Sequence, residues 1–243
     1  VFPRRLFSQS QMWVHPNSGY WHPRDLIGKR VAISSFQTTL SLLAKGDLKF
    51  FYDVPWENIH WLLTSSEKVE FKIKPGVKTD FIGDREQLGY MLEKGEIDAF
   101  FLPHPPHSVA TGETEARHLF EDSKAEEKIY YQKFGDFPIM HVVVMHQDLA
   151  HSMPMLGRDL IKTFNAARDL AESYYEDPNW SRLAWGRHLY EEERFAFDSD
   201  PWRNGFSENR DNISRFIKYS HDQGLIESLY EPEDLFIKNT LDS

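Results

Sequence analysis

The sequence contains no cysteine. Disulfides, thiolate zinc sites, iron–sulfur clusters and a cysteine nucleophile are therefore excluded. The compartment stays open, because a cysteine-free chain tolerates oxidising and reducing surroundings alike. Positive charge is in short supply: 28 Lys and Arg face 38 Asp and Glu, a formal net charge of −10. General nucleic-acid binding needs a basic footprint, so that class is set aside. No run of 18 or more apolar residues occurs, so nothing is expected to span a membrane, and no signal peptide is visible. The GxSxG, GxGxxG, P-loop and HExxH patterns are missing too. What is present is a chain of 243 residues, 40% hydrophobic and 27% charged, long enough for one large core or two small ones. Aromatics reach 14%, with 18 Phe, 10 Tyr and 7 Trp, which can fill a core or line a site for a flat ligand.

Hydrophobic periodicity places the elements. Gln11–Val14 reads as a short strand and Val31–Ile33 as a buried one. Leu40, Leu43 and Ala44 then recur at helical spacing, and Gly46 is expected to interrupt or end that helix. Ile59–Leu63 and the alternating Val69–Ile73 read as strands, and Asp84 as the cap of a helix bearing Leu88, Met91 and Leu92. Ile97–Leu102 is a strand that ends in the loop Pro103–Ser108, and residues 111–128 read as acidic surface loop with a short helix. Ile139–His146 carries the strongest strand signal, with His141 and His146 on opposite faces. Helices follow: one on Leu156, Leu160, Phe164, Ala167 and Ala171, a weaker one over about 181–197, and one from Ser207 to a capping Gly224. Strands alternating with helices, then helices alone, give an α/β chain with open sheets. Its ligand sites are expected beyond the carboxyl ends of strands.

Two loops meet that description. Ser34, Ser35, Gln37, Thr38 and Thr39 sit where a strand feeds a helix start, where unpaired amides and the helix dipole favour an anion. Plain helix capping is the competing reading. His104, His107 and Ser108 occupy a loop stiffened by prolines, and the histidines suit carboxylate recognition, general acid chemistry, part of a metal site that would need further ligands, or no role beyond the loop itself. His141 in Phe137–His141 is a third histidine candidate, as a ligand or as a satisfied residue of a strand pair. Trp13, Trp56, Trp61 and Trp202 are candidates to stack a ring, though each also suits a core. Glu126–Glu127 and Glu191–Glu193 read as solvated faces.

Several segments together resemble a known family. VFPRRLF (1–7), DLIGKRVAI (25–33) with FQTT (36–39), GEIDAFF (95–101), FPIMHVVV (137–144), YSHDQGLI (219–226) and PEDLF (232–236) are similar to the 4,5-dihydroxyphthalate decarboxylase-like family. They follow the family's order along nearly the whole chain. The resemblance implies a two-lobed fold of the type 2 periplasmic-binding-protein kind, with the ligand in the cleft. Residues 1–24 would end the first lobe and make the first crossover, 25–135 would form the second lobe, and 136–243 would return and pack helices on the first. Members carry a βα segment ahead of VFPRRLF that this sequence does not show, so the N-terminal part of the first lobe is expected to be missing. Where members usually carry an Arg, this chain has His104, which cannot copy a bidentate carboxylate clamp.

Two functions then stand open. One is a non-oxidative decarboxylase of a hydroxylated aromatic carboxylate, with His104, His107 or His141 as general acid and Trp13, Ser108 and the Ser34–Thr39 loop on the substrate. The other is a solute-binding protein of an ABC-type transporter, taking a small organic or aromatic anion. Neither reading calls for a cofactor or a metal. The partners expected are a small anionic ligand and either a second copy of the chain or a membrane transporter. The enzyme would be cytoplasmic and the receptor periplasmic.

Overall fold

A computed structural model describes residues 1–177 and 179–243. Its strands are β1 (Arg4–Arg5), β2 (Met12–Val14), β3 (Arg30–Ile33), β4 (His60–Leu63), β5 (Thr79–Phe81), β6 (Ala99–Phe101), β7 (Arg117–His118) and β8 (Ile139–His141). Its helices are α1 (Thr39–Phe50), α2 (Leu88–Glu93), α3 (His107–Ala110), α4 (Ser123–Phe134), α5 (Gln147–Ser152), α6 (Leu156–Tyr175), α7 (Gly186–Ala196) and α8 (Arg210–Asp222). The chain forms two units. Val1–Leu6, Asp136–Ser214 and Tyr230–Ser243 make the first, and Phe7–Gly135 with Arg215–Leu229 make the second.

The second unit is built on a six-stranded sheet in the order β5-β4-β3-β6-β2-β7. β3 runs parallel to β4 and β6, β4 runs parallel to β5, and β2 is antiparallel to both β6 and β7. The central strands are short apolar runs because both sheet faces are covered. Val31, Ile33, Trp61, Ala99 and Phe101 face one core with Ala44 and Leu48 of α1. Ala32, Leu62 and Phe100 alternate to the other, with Leu88 and Leu92 of α2. Trp56 and Trp61 are fully buried core residues. Residues 7–24 join this unit because β2 is an interior strand of its sheet.

Four sequence expectations need correction. Helix α1 does not stop at Gly46 but continues to Phe50. Gly46 is needed for contact: a Cβ there would lie 2.0 Å from the ring of Tyr219. Val69–Ile73 is extended but belongs to no strand, and β5 forms at Thr79–Phe81 instead. The alternation there reflects Phe71 and Ile73 packing against the core while both backbone groups of Val69 bond the Gln37 side chain. Residues 111–128 hold the expected helix, α4, which begins at Ser123 behind an Asp122 cap, but they also hold a strand, β7, where loop was expected. Within α4, Glu127 is no solvated carboxylate, because it accepts from the Ser10 amide at 3.3 Å and burial pushes its pKa up.

The first unit pairs β1 with β8. The strand signal of Ile139–His146 yields only three strand residues, because its partner β1 is two residues long and Val143 finds just the Val1 carbonyl. His146 instead caps α5, its ring nitrogen accepting from the Asp148 amide. Large apolar side chains stay exposed on this unit, among them Val144 at 81% and Phe195 at 90%. No helix among the described residues is long and apolar enough to cross a membrane.

The motif YSHDQGLI turns out to be a docking device within the second unit. From the end of α8, Tyr219 stacks on Phe50 at 5.3 Å. Gln223 donates to the Leu42 carbonyl at 2.8 Å. Asp222 accepts from Lys49 at 2.6 Å and from the Trp56 indole at 2.8 Å. The whole set fastens the C-terminal half of α8 along α1. Residues 215–229 therefore group with the second unit.

Candidate functional site

In an open sheet, the crevice for a ligand lies where neighbouring strands send their connections to opposite sides. Here that point falls between β3 and β6. They pair in parallel with Ile33 opposite Phe101, so the loop after each leaves the same sheet edge side by side. Those loops run from Ser34 to Thr38 and from Leu102 to Pro106, and the two stretches singled out from sequence, Ser34–Thr39 and Pro103–Ser108, extend from them into the first residues of α1 and α3. The antiparallel β2 brings its entry to the same edge, where Leu102 donates to the Gln11 carbonyl at 3.1 Å.

Just ahead of α1, two loop amides are taken up by a carboxylate of the protein itself, Glu67. The Phe36 amide donates to one carboxylate oxygen at 2.6 Å and the Gln37 amide to the other at 3.1 Å. A carboxylate is the group that a helix N-terminus favours. The Gln37 side chain meanwhile ties down Val69, donating to its carbonyl and accepting from its amide. Thr38 spends its hydroxyl on the Ser35 carbonyl and Ser41, and the Ser34 carbonyl accepts from Thr64 and Ser65. Ser35 is buried and Thr39 is the first residue of α1. The capping reading needs correction, because the N-cap residue Thr38 makes no side-chain bond to the amides of α1.

Beneath this loop lies Lys45, fully buried. Its Nζ donates to the Phe36 carbonyl at 3.1 Å and sits 3.2 Å from the centre of the Phe36 ring. Burial drives its pKa well below the ordinary lysine value, and the charge of Glu67 opposes that drop. Neither Lys45 nor Glu67 stood out in the sequence. A lysine inside the apolar run Leu40–Leu48 was the signal for the first. For the second it was an acid in the loop beyond the end of β4. Substituting Glu67→Ala is expected to cost about 1–2 kcal/mol, since two charge-assisted bonds go. The check is faster hydrogen exchange at the Phe36 and Gln37 amides with β4 unaffected.

The other candidates are placed as follows. His104 is exposed in the loop at the end of β6, and His107 is exposed as the first residue of α3, its amide donating to Glu86 at 2.9 Å. Ser108 is buried and accepts from Thr114, so it braces α3 rather than facing solvent. Trp13 sits mid-strand on the α2 side of the sheet, stacked on Phe100 and with its ring 4.1 Å from that of His118. The indole nitrogen of Trp13 and Nδ1 of His118 are both buried without a hydrogen-bond partner. Burial lowers the pKa of His118. His141 is exposed on β8, in the first unit, whereas the other two histidine candidates lie in the second. Trp202 is partly exposed and meets Phe137 edge-on in that first unit. Among the described residues no three His, Asp or Glu side chains converge in a way that would hold a metal ion.

No family model matches the chain. A 4,5-dihydroxyphthalate decarboxylase from Comamonas testosteroni is 29% identical over 251 residues, covering 100% of this chain and 76% of that protein. A second, from Pseudomonas putida, is 24% identical over 138 residues and covers 54% of each. Among solved structures, the periplasmic sulfonate-binding protein SsuA from Methylobacillus flagellatus KT aligns with a TM-score of 0.56 at 14% identity, covering 100% of this chain and 68% of that one. The fold is therefore α/β of the type 2 periplasmic-binding-protein kind. The resemblance to the decarboxylase-like family holds over the whole chain.

Proposed function

We propose that this chain, similar from end to end to one 4,5-dihydroxyphthalate decarboxylase and over about half its length to another, is a carboxy-lyase that removes carbon dioxide from a hydroxylated aromatic acid without a redox step. The observation that carries the reading is the similarity along 100% of the chain to the Comamonas protein. The geometry is compatible with it. The loops after β3 and β6 leave one sheet edge together, and the Phe36 and Gln37 amides already bind a carboxylate. His104, in the β6 loop, reaches solvent.

The chemistry asked of these residues is a proton transfer. A ring hydroxyl ortho or para to the reacting carbon pushes electron density onto it. A protonated imidazole gives its proton to the ring carbon that bears the carboxylate. The bond to the carboxylate then breaks, its electron pair restores the aromatic ring, and carbon dioxide leaves. The imidazole regains its proton from water. His104 is our first choice for the acid, because its loop belongs to the sheet edge described above, and His107 and His141 are the alternatives. Donors aimed at the carboxylate and exclusion of water complete what the site must supply.

The test is release of carbon dioxide from hydroxyphthalates and hydroxybenzoates. With the active substrate, His104→Ala is expected to lower kcat about 100-fold, the ordinary contribution of a general acid. Turnover that survives alanine at His104, His107 and His141 alike would sink the assignment. The fold and the carboxylate-binding amides equally suit a receptor for small organic anions. Stabilisation by an aromatic acid with no carbon dioxide released would favour that second reading.

A further inference from the structure

The chain passes between its two units four times, after Leu6, Gly135, Ser214 and Leu229. Residues beside three of those passages meet at one buried carboxylate, Asp47 of α1. Ser8, just past the first passage, donates to it at 2.6 Å. Tyr130, buried on the last turns of α4 before the second passage, favours its ionised form. Tyr219, one turn of α8 beyond the third passage, donates at 3.2 Å. Arg215, the first residue after that passage, supplies the positive charge that acts on it.

Aromatic packing draws the same residues together. Phe7 meets Tyr130 edge-on at 5.9 Å, and the Arg215 guanidinium lies 4.2 Å from the centre of the Phe134 ring. Asp47 itself is fully buried. No role in the proposed chemistry uses it.

We infer that Asp47 is a pH-sensitive anchor for the segments that connect the two units: protonated, it holds them on the second unit, and ionised, it releases them. A neutral carboxyl can sit in this pocket with its hydrogen bonds made. An ionised one is a buried charge that water would stabilise, so opening becomes easier. Burial raises its pKa to about 7, against the bond from Ser8, the charge of Arg215 and the bond from Tyr219. The sign follows. A carboxyl whose closed-state value lies above its open-state value favours the closed state at low pH and loses that advantage as pH rises through the closed-state value.

Of the ionisable groups nearby, Glu127 is likewise pushed up by burial, so Asp47→Asn is the variant that isolates the share of Asp47. Tyr52 is pushed up and away from neutrality by burial and by Glu126. Glu126 accepts from the Tyr52 hydroxyl and Glu127 from the Ser10 amide, so both are engaged elsewhere.

Hydrogen exchange on the full chain, corrected for the intrinsic effect of pH, tests this. Peptides spanning 5–10, 128–137 and 213–220 should open about tenfold more readily near pH 8 than near pH 6, the factor that follows from closed-state and open-state values of about 7 and 3.8. Peptides from β3 and β4 should not change. Asp47→Asn should abolish the rise. If Asp47→Asn does not fold, Ser8→Ala decides: losing a bond that favours the ionised form raises the closed-state value, so the rise should level off at higher pH. A rise that persists in Asp47→Asn, a levelling-off pH unmoved in Ser8→Ala, or a rise spread evenly over β3 and β4 would each overturn the inference.

Discussion

Gly46→Ala is expected to destabilise the second unit by about 3 kcal/mol, although it improves helix propensity by about 1 kcal/mol. The added methyl would stand 2.0, 2.2 and 2.5 Å from three ring atoms of Tyr219, closer than real carbons approach. Neither partner can yield cheaply. Gly46 lies mid-helix on α1, and Tyr219 is buried, stacked on Phe50 and bonded to Asp47. Relief means expelling the ring, with the loss that burying an aromatic side chain in a core implies. For a chain of this size, a drop of roughly 10 °C in the melting temperature of that unit is expected. A double-mutant cycle makes the test sharp. Once Tyr219 is cut back to Ala, adding Ala at 46 should cost almost nothing, because the collision is gone. Additive losses would show that Gly46 is there for some other reason.

Arg5→Met should have a comparable effect on the first unit, about 3–5 kcal/mol, the usual cost of removing one partner from a buried charged network. Arg5 is 4% exposed, and its guanidinium donates to the Phe137 carbonyl at 2.6 Å, the Arg203 carbonyl at 2.7 Å and Asn209 Oδ1 at 2.7 Å. Burial lowers its pKa to about 10, with the charge of Asp136 opposing, so it stays charged at neutral pH. Methionine fills the stem's volume but leaves three acceptors without their donor. Arg5→Lys keeps the charge, yet one ammonium cannot serve three points of a planar fork, so it should recover less than half of the loss. Segment-resolved hydrogen exchange separates the two predictions. Arg5→Met should expose residues 136–141 and 203–214 while leaving β3 and β4 protected, and Gly46→Ala should do the reverse. A loss under 1 kcal/mol for Arg5→Met would mean that water replaces the guanidinium freely.

These residues show what a motif can and cannot disclose. VFPRRLF, FPIMH and YSHDQGLI were legible as marks of a family, and in the structure all three are fastenings. Arg5 clasps the backbone at Phe137. Asn212 of α8 bonds the same Phe137 carbonyl and the Ile139 amide. Tyr219, Asp222 and Gln223 bind α8 to α1. None of these partners is close in sequence, so no local pattern reveals them.

The candidate site divides in the same way. That the loops after β3 and β6 would lie at a sheet edge followed from strand, turn and helix order, which hydrophobic alternation encodes locally. That they would be neighbours depended on β3 pairing with β6 over an intervening 65 or so residues, a consequence of sheet closure rather than of either segment. The amides at 36 and 37 were legible as anion donors, because an unpaired N–H at a helix start is a local property. Their partner was not, because Glu67 arrives on a separate loop.

The sequence by itself determined the α/β class, the order of strands and helices, the absence of thiol chemistry and the likeness to a decarboxylase family. Each of these depends on composition or on residues within a turn or two of one another. Only the tertiary structure decided that α1 runs through Gly46, that Val69–Ile73 stays outside the sheet, that Ser108 is a brace and that Asp47 gathers three connecting segments. Each of those depends on contacts between residues far apart in the chain, where packing and hydrogen bonding outweigh the weak local preference of any single residue.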